Sequence, residues 1–365
     1  MKTYSSALNP KAMIAMSGGV DSSVAAYLMK ERGFDCAGVT MKLFSNQDVG
    51  LDRDDACCSL KDTDDARSVA YRLGIPHYVF NFSDEFTSQV IHRFAEAYEA
   101  GFTPNPCVDC NRYVKFGRLL RRVEELEYHC LATGHYARIK WDNGSGRFLL
   151  KKALDGAKDQ SYFLYALTQE QMARAVFPLG GTSKKEVREI ALAQGFTNAR
   201  KEESQDVCFV MDGNYADFIE RHKGAPCPPG NFVGTDGRAL GRHRGLIRYT
   251  IGQRKGLGLS FPRPMYVCGK NAADNTVTLG GEESLYTQTL FAKEVNWIAP
   301  PADSFRVKAK TRYRQPEQWA AVERTGEGEM RVAFDEPQRA VAPGQAVVLY
   351  DGDVVVAGGA IARAA

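Results

Sequence analysis

No apolar run in this 365-residue sequence approaches the ~20 residues that a helix needs to cross a bilayer, so a membrane-spanning helix is excluded. The opening stretch, Met1 to Lys11, is polar, with no apolar signal core ahead of Met13; a cytoplasmic location without a membrane partner is expected. A large excess of charge of one sign is also lacking. The net charge is only +3, so the total neither demands nor excludes nucleic acid, and the placement of the charges has to decide. The six histidines show no metal-ligand spacing. There is neither a Walker lysine after a glycine loop nor a complete GxGxxG, which argues against a conventional NTPase and a dinucleotide oxidoreductase. Internal repeats and low-complexity segments are absent.

What is present is 44% hydrophobic and 25% charged, a composition that supports two or three globular domains. Nine cysteines in a chain of this length do not read as a disulfide scaffold; a mixture of buried structural thiols and a few reactive or metal-binding ones is expected. Up to about residue 135, short β-rich runs alternate with helical patterns, the signature of a parallel α/β sheet. Strands are expected at Met13–Met16, Cys36–Leu43, Ile75–Phe80 and Cys130–Thr133. Helices are expected near Asp21–Arg32, Asp62–Leu73, Asp84–Ala100 and Tyr113–Glu127, with Gly33 and Gly74 as stops. Arg138–Leu150 reads as a hairpin around Asn143-Gly144-Ser145-Gly146, and helices follow at Gln169–Ala175 and Ser183–Gln194. Pro226, Pro228, Pro229 and Gly230 mark a boundary to Gly-, Val- and Thr-rich sequence of the kind found in small barrels. The expected organisation is a catalytic α/β domain over 1–210 with a helical insertion at about 165–200. A small β-rich central domain over 211–283 and a C-terminal β-barrel over 284–365 follow it.

Directly after the first strand comes Ser17-Gly18-Gly19-Val20-Asp21-Ser22-Ser23, leading into the first helix. Two glycines let backbone amides close around an anion, the helix start adds partial positive charge, and Ser17, Ser22 and Ser23 supply hydroxyls. A plain serine-capped turn would need fewer of these features together. The loop resembles the SGGxDS pyrophosphate loop (PP-loop) of the adenine nucleotide α-hydrolases, which split ATP between its α and β phosphates and adenylate an oxygen of their substrate. That resemblance implies ATP and Mg as cofactors. Ala15, Met16, Ser17, Gly18, Gly19, Val20, Asp21 and Ser22 would form the nucleotide site, with Asp21 helping the metal, and Met41 and Gly134 would contact adenosine.

Two cysteines stand out. Cys110 lies in Thr103-Pro104-Asn105-Pro106-Cys107-Val108-Asp109-Cys110-Asn111, just ahead of an expected basic helix with Arg112 and Lys115, a setting that favours thiolate. Cys208 lies in Ser204-Gln205-Asp206-Val207-Cys208-Phe209. Either one alone is more simply structural. Together with SGGVDSS, ATGHYAR (Ala132–Arg138), KDQSYFL (Lys158–Leu164) and YTIGQRKGLG (Tyr249–Gly258), these segments closely resemble the tRNA-specific 2-thiouridylase family over most of the chain. The resemblance implies a nucleophile at Cys110, a persulfide at Cys208 and contacts to the target base from Asn105, Pro106 and Cys107. It also implies tRNA contacts from Lys158, Asp159, Gln160, Arg312 and Tyr313. A persulfide-carrier protein as sulfur donor and a reductant are implied as partners besides tRNA.

Position 107 is Cys where many relatives carry Asp, so Cys107, Cys110 and Cys208 could instead ligate a [4Fe–4S] cluster or zinc. Cys57-Cys58 reads as a loop feature, and Cys36, Cys130 and Cys268 read as core. His135 is balanced between a nucleotide contact and a structural role. Arg238–Lys255 carries six Lys/Arg and no acidic residue, and Arg306, Lys308, Lys310, Arg312 and Arg314 recur with period two. On a strand that period would put all five cations on one face as a phosphate track. Two rivals remain: a PP-loop synthetase adenylating a small molecule, and a noncatalytic RNA-binding protein.

Overall fold

The computed structural model describes residues 10–44, 60–202, 207–210, 213–299 and 301–365. The chain divides into two compact units. The first takes in residues up to Val90, Cys107–Gly213 and Gly352–Val355, and the second takes in Ile91–Pro106, Asn214–Asp351 and Val356–Ala365.

The first unit is built on β1 (Lys11–Ala15), β2 (Asp35–Lys42), β3 (His77–Asn81), β4 (Cys130–Thr133) and the short β7 (Ala175–Val176), all parallel, in the order β3-β2-β1-β4-β7. The hairpin strands β5 (Ala137–Asp142) and β6 (Arg147–Lys152) lie between β4 and β7 in the sequence. The central strands are continuous apolar runs rather than alternating ones, because helices cover both sheet faces; β4 is buried along its whole length. Helix α1 (Val20–Glu31) packs nearly all round, burying Val20, Val24, Ala25, Ala26 and Met29 against Ile14, Cys36 and Cys130. Fully burying a side chain such as Ile14 contributes roughly 1.5–3 kcal/mol. The helix stops where Gly33 takes φ +81°, a conformation that favours glycine. Helix α2 (Leu60–Leu73) covers the same core with Ala66, Val69, Ala70 and Leu73.

These elements match the sequence expectations closely, with two differences. The helix expected from Tyr113 begins at Pro106 and runs over residues 106–125 (α3), with a π-helical stretch at Cys110–Leu119. Proline fits a first helical turn, where its missing N–H costs nothing and its fixed φ is already helical. The second difference is β7, a fifth strand within the stretch read as purely helical, which precedes helix α4 (Lys184–Ala193).

In the second unit, β8 (Gly230–Gly234), β9 (Ala239–His243), β10 (Tyr266–Asn271) and β11 (Thr276–Gly280) form a four-stranded sheet in the order β10-β11-β8-β9. Phe232, Tyr249, Val267, Val277 and Leu279 are its core. The strands β12 (Tyr286–Trp297), β13 (Ser304–Lys310), β14 (Gln318–Gly326), β15 (Glu329–Arg339), β16 (Ala346–Asp351) and β17 (Val354–Ala364) then form a barrel closed by β12 pairing with β17. Closure removes the sheet edges. The fold class read from the sequence, a parallel α/β domain followed by β-rich modules ending in a barrel, is the one observed. Among the described residues no helix is long and apolar enough to cross a membrane.

Candidate active site

The glycine loop sits at the carboxyl end of the parallel sheet, where β1 neighbours β2 on one side and β4 on the other. Such a switch point is where open α/β sheets leave a crevice. Met16 is pinned to β2 by its N–H to the Val39 carbonyl (2.8 Å) and by the Thr40 hydroxyl donating to its own carbonyl (2.8 Å). Gly18 then takes φ +73°, and a Cβ there would stand 2.3 Å from the Asp62 carbonyl oxygen. Gly19, extended, caps α1. Gly134, directly after β4, crowds the same turn: a Cβ would lie 2.8 Å from both Asp21 C and Ser22 N. Met41 lies two residues beyond the β2 residue that faces Ala15, at the same end of the sheet.

The serine hydroxyls divide differently from expectation. Ser22 and Ser23 are buried, and both donate to the Gly19 carbonyl at 3.0 Å, so they brace the loop from inside. Ser17, by contrast, is exposed.

Asp21 is held by two side chains from outside the loop. Its Oδ1 accepts from the Tyr136 hydroxyl (2.8 Å) and from Lys184 Nζ (2.7 Å), whose side chain is only 12% exposed. The outer edge of the loop is tied down by Lys201, whose ammonium reaches the Gly18 carbonyl (3.3 Å), Asp62 (2.5 Å) and Asp65 (2.7 Å). Burial works against that charge, but the hydrogen bonds it donates to the two carboxylates outweigh this and raise the ammonium above its ordinary value. Asn198, buried, donates to the Gly18 carbonyl and to Ser23 Oγ, both at 2.9 Å. Its Oδ1 has no hydrogen-bond partner among the described residues. Tyr136, Lys184, Asn198 and Lys201 were not singled out in the sequence. Tyr136 stands within the quoted ATGHYAR segment, whereas the other three meet the loop across more than 160 residues and carry no local signal.

His135 resolves toward structure. Its Nδ1 pairs with Thr133 Oγ1 at 2.7 Å, its ring lies against Phe116 and Phe177, and burial, then Lys115, holds its imidazole well below 6.5.

The early start of α3 changes the cysteine geometry. Cys107, not Cys110, occupies its first turn and is exposed; Cys110 is buried one turn later. Desolvation raises the Cys107 thiol above its ordinary value, while Lys115 pulls it down. Asn111, buried beside Cys110 in sequence, donates to the Phe163 carbonyl at 3.1 Å and fixes the helix against the Ser161–Leu164 turn. Cys208 is exposed on a turn anchored by Phe209, which packs edge-on against Phe86 at 5.7 Å. Among the described residues no three His, Cys, Asp or Glu side chains are grouped to hold a metal, so Cys107, Cys110 and Cys208 do not form a cluster ligand set here. Cys36 and Cys130 are core, as expected, with thiols pushed up to about 11 and about 12 by burial. Cys57 and Cys58 lie outside the described residues.

Three family models tile the chain: a tRNA methyl transferase HUP domain over 10–212, a tRNA methyl transferase PRC-barrel domain over 216–281 and an aminomethyltransferase β-barrel domain over 287–361. The tRNA-specific 2-thiouridylase MnmA of Clostridioides difficile (strain 630) is 47% identical over 358 residues, covering 98% of this chain and 99% of its own. The protein of that name from Symbiobacterium thermophilum is 48% identical over 360 residues, covering 97% and 92%. The chain belongs to the tRNA-specific 2-thiouridylase family.

Against that family pattern, the residues expected at tRNA are partly occupied within the protein. Asp159 accepts from Ala153 N (3.0 Å), Ser161 N (3.2 Å) and Ser161 Oγ (2.8 Å), and Gln160 Oε1 accepts from Tyr136 N (3.0 Å). Both brace their loop; Lys158 beside them is half-buried. In the second unit, the Thr103 and Pro104 carbonyls accept from Gln345 Nε2 (2.8 and 3.2 Å), fixing the approach to Asn105 and Pro106.

The five-cation track is shorter than its period suggested. β13 ends at Lys310, so only Arg306, Lys308 and Lys310 share its outer face, and Arg306 is bridged to Asp335 (3.1 and 2.7 Å). Arg312, past the strand end, turns its guanidinium to the Ala340 and Ile251 carbonyls (2.7 and 3.2 Å). Lys310 lies over the Tyr313 ring at 5.9 Å. Trp319, half exposed, faces Lys308 across the β13–β14 pair, adding an aromatic surface to this basic face.

Proposed function

We propose that the protein adenylates O2 of the wobble uridine in a tRNA anticodon with ATP and replaces that oxygen by sulfur, giving 2-thiouridine, AMP and pyrophosphate. The observation that carries this reading is a closed anion loop beside Asp21, at the sheet's switch point, in a unit that also holds Cys110 and Cys208. The whole-chain likeness to proteins named 2-thiouridylases supports sulfur rather than methyl transfer.

The chemistry follows from the substrate. The C2 carbonyl of uridine is a weak electrophile and oxide is an unusable leaving group. Attack of O2 on the α-phosphorus expels pyrophosphate and turns O2 into part of an AMP leaving group. The outer sulfur of a Cys208 persulfide then attacks C2 and AMP departs. The Cys110 thiolate attacks the Cys208 sulfur, forming a disulfide and leaving the sulfur on C2. A persulfide carrier must recharge Cys208 and a reductant must reopen the disulfide.

The loop amides of Gly18 and Gly19 and the start of α1 hold the departing pyrophosphate, and Gly134, lacking a Cβ, lets the end of β4 approach that loop closely. Mg, when bound, would be held by Asp21 and phosphate oxygens and would neutralise charge on the leaving group; one carboxylate with phosphates is an ordinary ligand set for it. The cluster route is disfavoured because the three cysteines are not grouped as ligands. In this reading 1–210 is catalytic, 211–283 is the central module and 284–365 binds tRNA, with Lys308, Lys310 and Trp319 on its outer face. Incubation with ATP, tRNA and a persulfide donor should yield 2-thiouridine with equimolar AMP and pyrophosphate. ADP and phosphate as the tRNA-dependent products would overturn it.

A further inference from the structure

Lys184 has no part in the scheme above, yet its ammonium sits on the loop carboxylate. The first residue of α4 is placed firmly. Ser183 and Glu186 form a reciprocal cap at the helix start, and the Lys184 N–H donates to Asp155 Oδ2 at 3.0 Å. From there the side chain runs under cover, 12% exposed, past the Tyr136 ring (5.8 Å) to Asp21 Oδ1 at 2.7 Å. The Tyr136 hydroxyl holds that same oxygen from another side at 2.8 Å.

A largely buried ammonium needs an anion, and the half-buried Asp21 carboxylate supplies it. Without nucleotide the two satisfy each other. A triphosphate entering with a divalent cation offers each of them a stronger partner: the phosphates are anions for Lys184, and the metal is a cation for Asp21. The two cations cannot share Asp21 Oδ1 without repulsion. The lysine stem is flexible enough to move its ammonium by a few ångströms while its Cα stays fixed, and Tyr136 keeps Asp21 in place when Lys184 leaves.

Building on the nucleotide reading, we propose that Lys184 is a nucleotide-positioning residue that neutralises Asp21 in the empty site and exchanges it for the β and γ phosphates when ATP binds. Lys184 thereby keeps a divalent ion from settling on Asp21 alone and adds a charge-assisted contact to the triphosphate.

The test is calorimetric binding of α,β-methylene-ATP to the full chain in EDTA, so that no metal contributes. Lys184→Met should weaken binding about tenfold or more, the usual loss for one charge-assisted contact, while Lys184→Arg keeps most of it. Asp21→Asn should tighten metal-free binding several-fold, by removing a negative charge and releasing the ammonium, and adding Lys184→Met to it should then weaken binding about tenfold or more. A merely bracing lysine predicts that Lys184→Met binds like wild type, or that it costs nothing in the Asp21→Asn background; either outcome overturns the proposal. Should Lys184→Met fail to fold, Asp21→Asn alone decides, because unchanged or weaker metal-free binding overturns it too. A wild-type protein that binds no analogue, with or without Mg, instead overturns the nucleotide reading beneath.

Discussion

Replacing Gly134 by alanine adds one methyl group where the end of β4 meets the Asp21–Ser22 backbone. The new Cβ would lie 2.8 Å from Asp21 C and Ser22 N, against an ordinary contact of 3.4 Å or more, and neither neighbour is a side chain that can swing away. The two backbones must therefore part by roughly 0.6 Å, in an interior packed too densely to absorb the shift. β4 is buried throughout and α1 is buried on nearly all sides, so the displacement falls on the loop and on Asp21. Overpacking of this kind costs about 1–3 kcal/mol. Misplacement by about 1 Å at a reacting centre can cost about 100-fold in rate. Gly134→Ala should thus fold with a Tm lower by several degrees and lose about 10- to 100-fold in kcat/KM for ATP, read as tRNA-dependent pyrophosphate release. Gly181→Ala, where a Cβ meets nothing within 4 Å, is the control and should stay near wild type. Gly134→Ala with ATP kinetics within about twofold of wild type would refute the reasoning.

Cys110→Ala and Cys208→Ala should form no 2-thiouridine while Cys107→Ala stays active; stoichiometric iron in anaerobically purified protein, lost with activity in Cys107→Ala, would reverse that order. Lys308→Ala should weaken tRNA binding and lower its salt slope by about one unit, whereas Arg312→Ala should chiefly lower Tm, because it removes donors to the Ala340 and Ile251 carbonyls. His135 is held well below 6.5 in the folded protein by burial, so the unfolded chain takes up a proton first as pH falls. Its contribution to stability is complete above 6.5 and is lost progressively below it, and nitrogen NMR at pH 6 should find a neutral His135 ring; a protonated ring there would contradict the assignment.

The parts of the site that were legible in the sequence are those made by neighbours in the chain. β1, the two glycines and α1 follow one another within about twenty residues, and each carries its own signal: an apolar run, the Gly18-Gly19 pair and a stop at Gly33. The clamp around that loop was not legible. Lys184 reaches it from the start of a remote helix, and Asn198 and Lys201 from the irregular stretch after that helix; a lysine or asparagine in such places looks the same whether it faces water or the loop. The cysteine helix was misread at its start because Pro104 and Pro106 suggested a stiff loop, although Pro106 suits a first helical turn. The basic barrel strand was legible as alternation but not as length: the cations keep period two through Arg314, while the strand ends at Lys310 and Arg312 turns to backbone carbonyls.

The central claim is that O2 of the target uridine leaves with AMP, and isotope transfer tests it most directly. A tRNA carrying oxygen-18 at O2 of the wobble uridine is thiolated in a single turnover with unlabelled ATP and a persulfide donor, and the AMP is weighed by mass spectrometry. The account predicts one oxygen-18 in each AMP, equimolar with 2-thiouridine. Unlabelled AMP formed alongside 2-thiouridine, or sulfur incorporation without AMP, would contradict it.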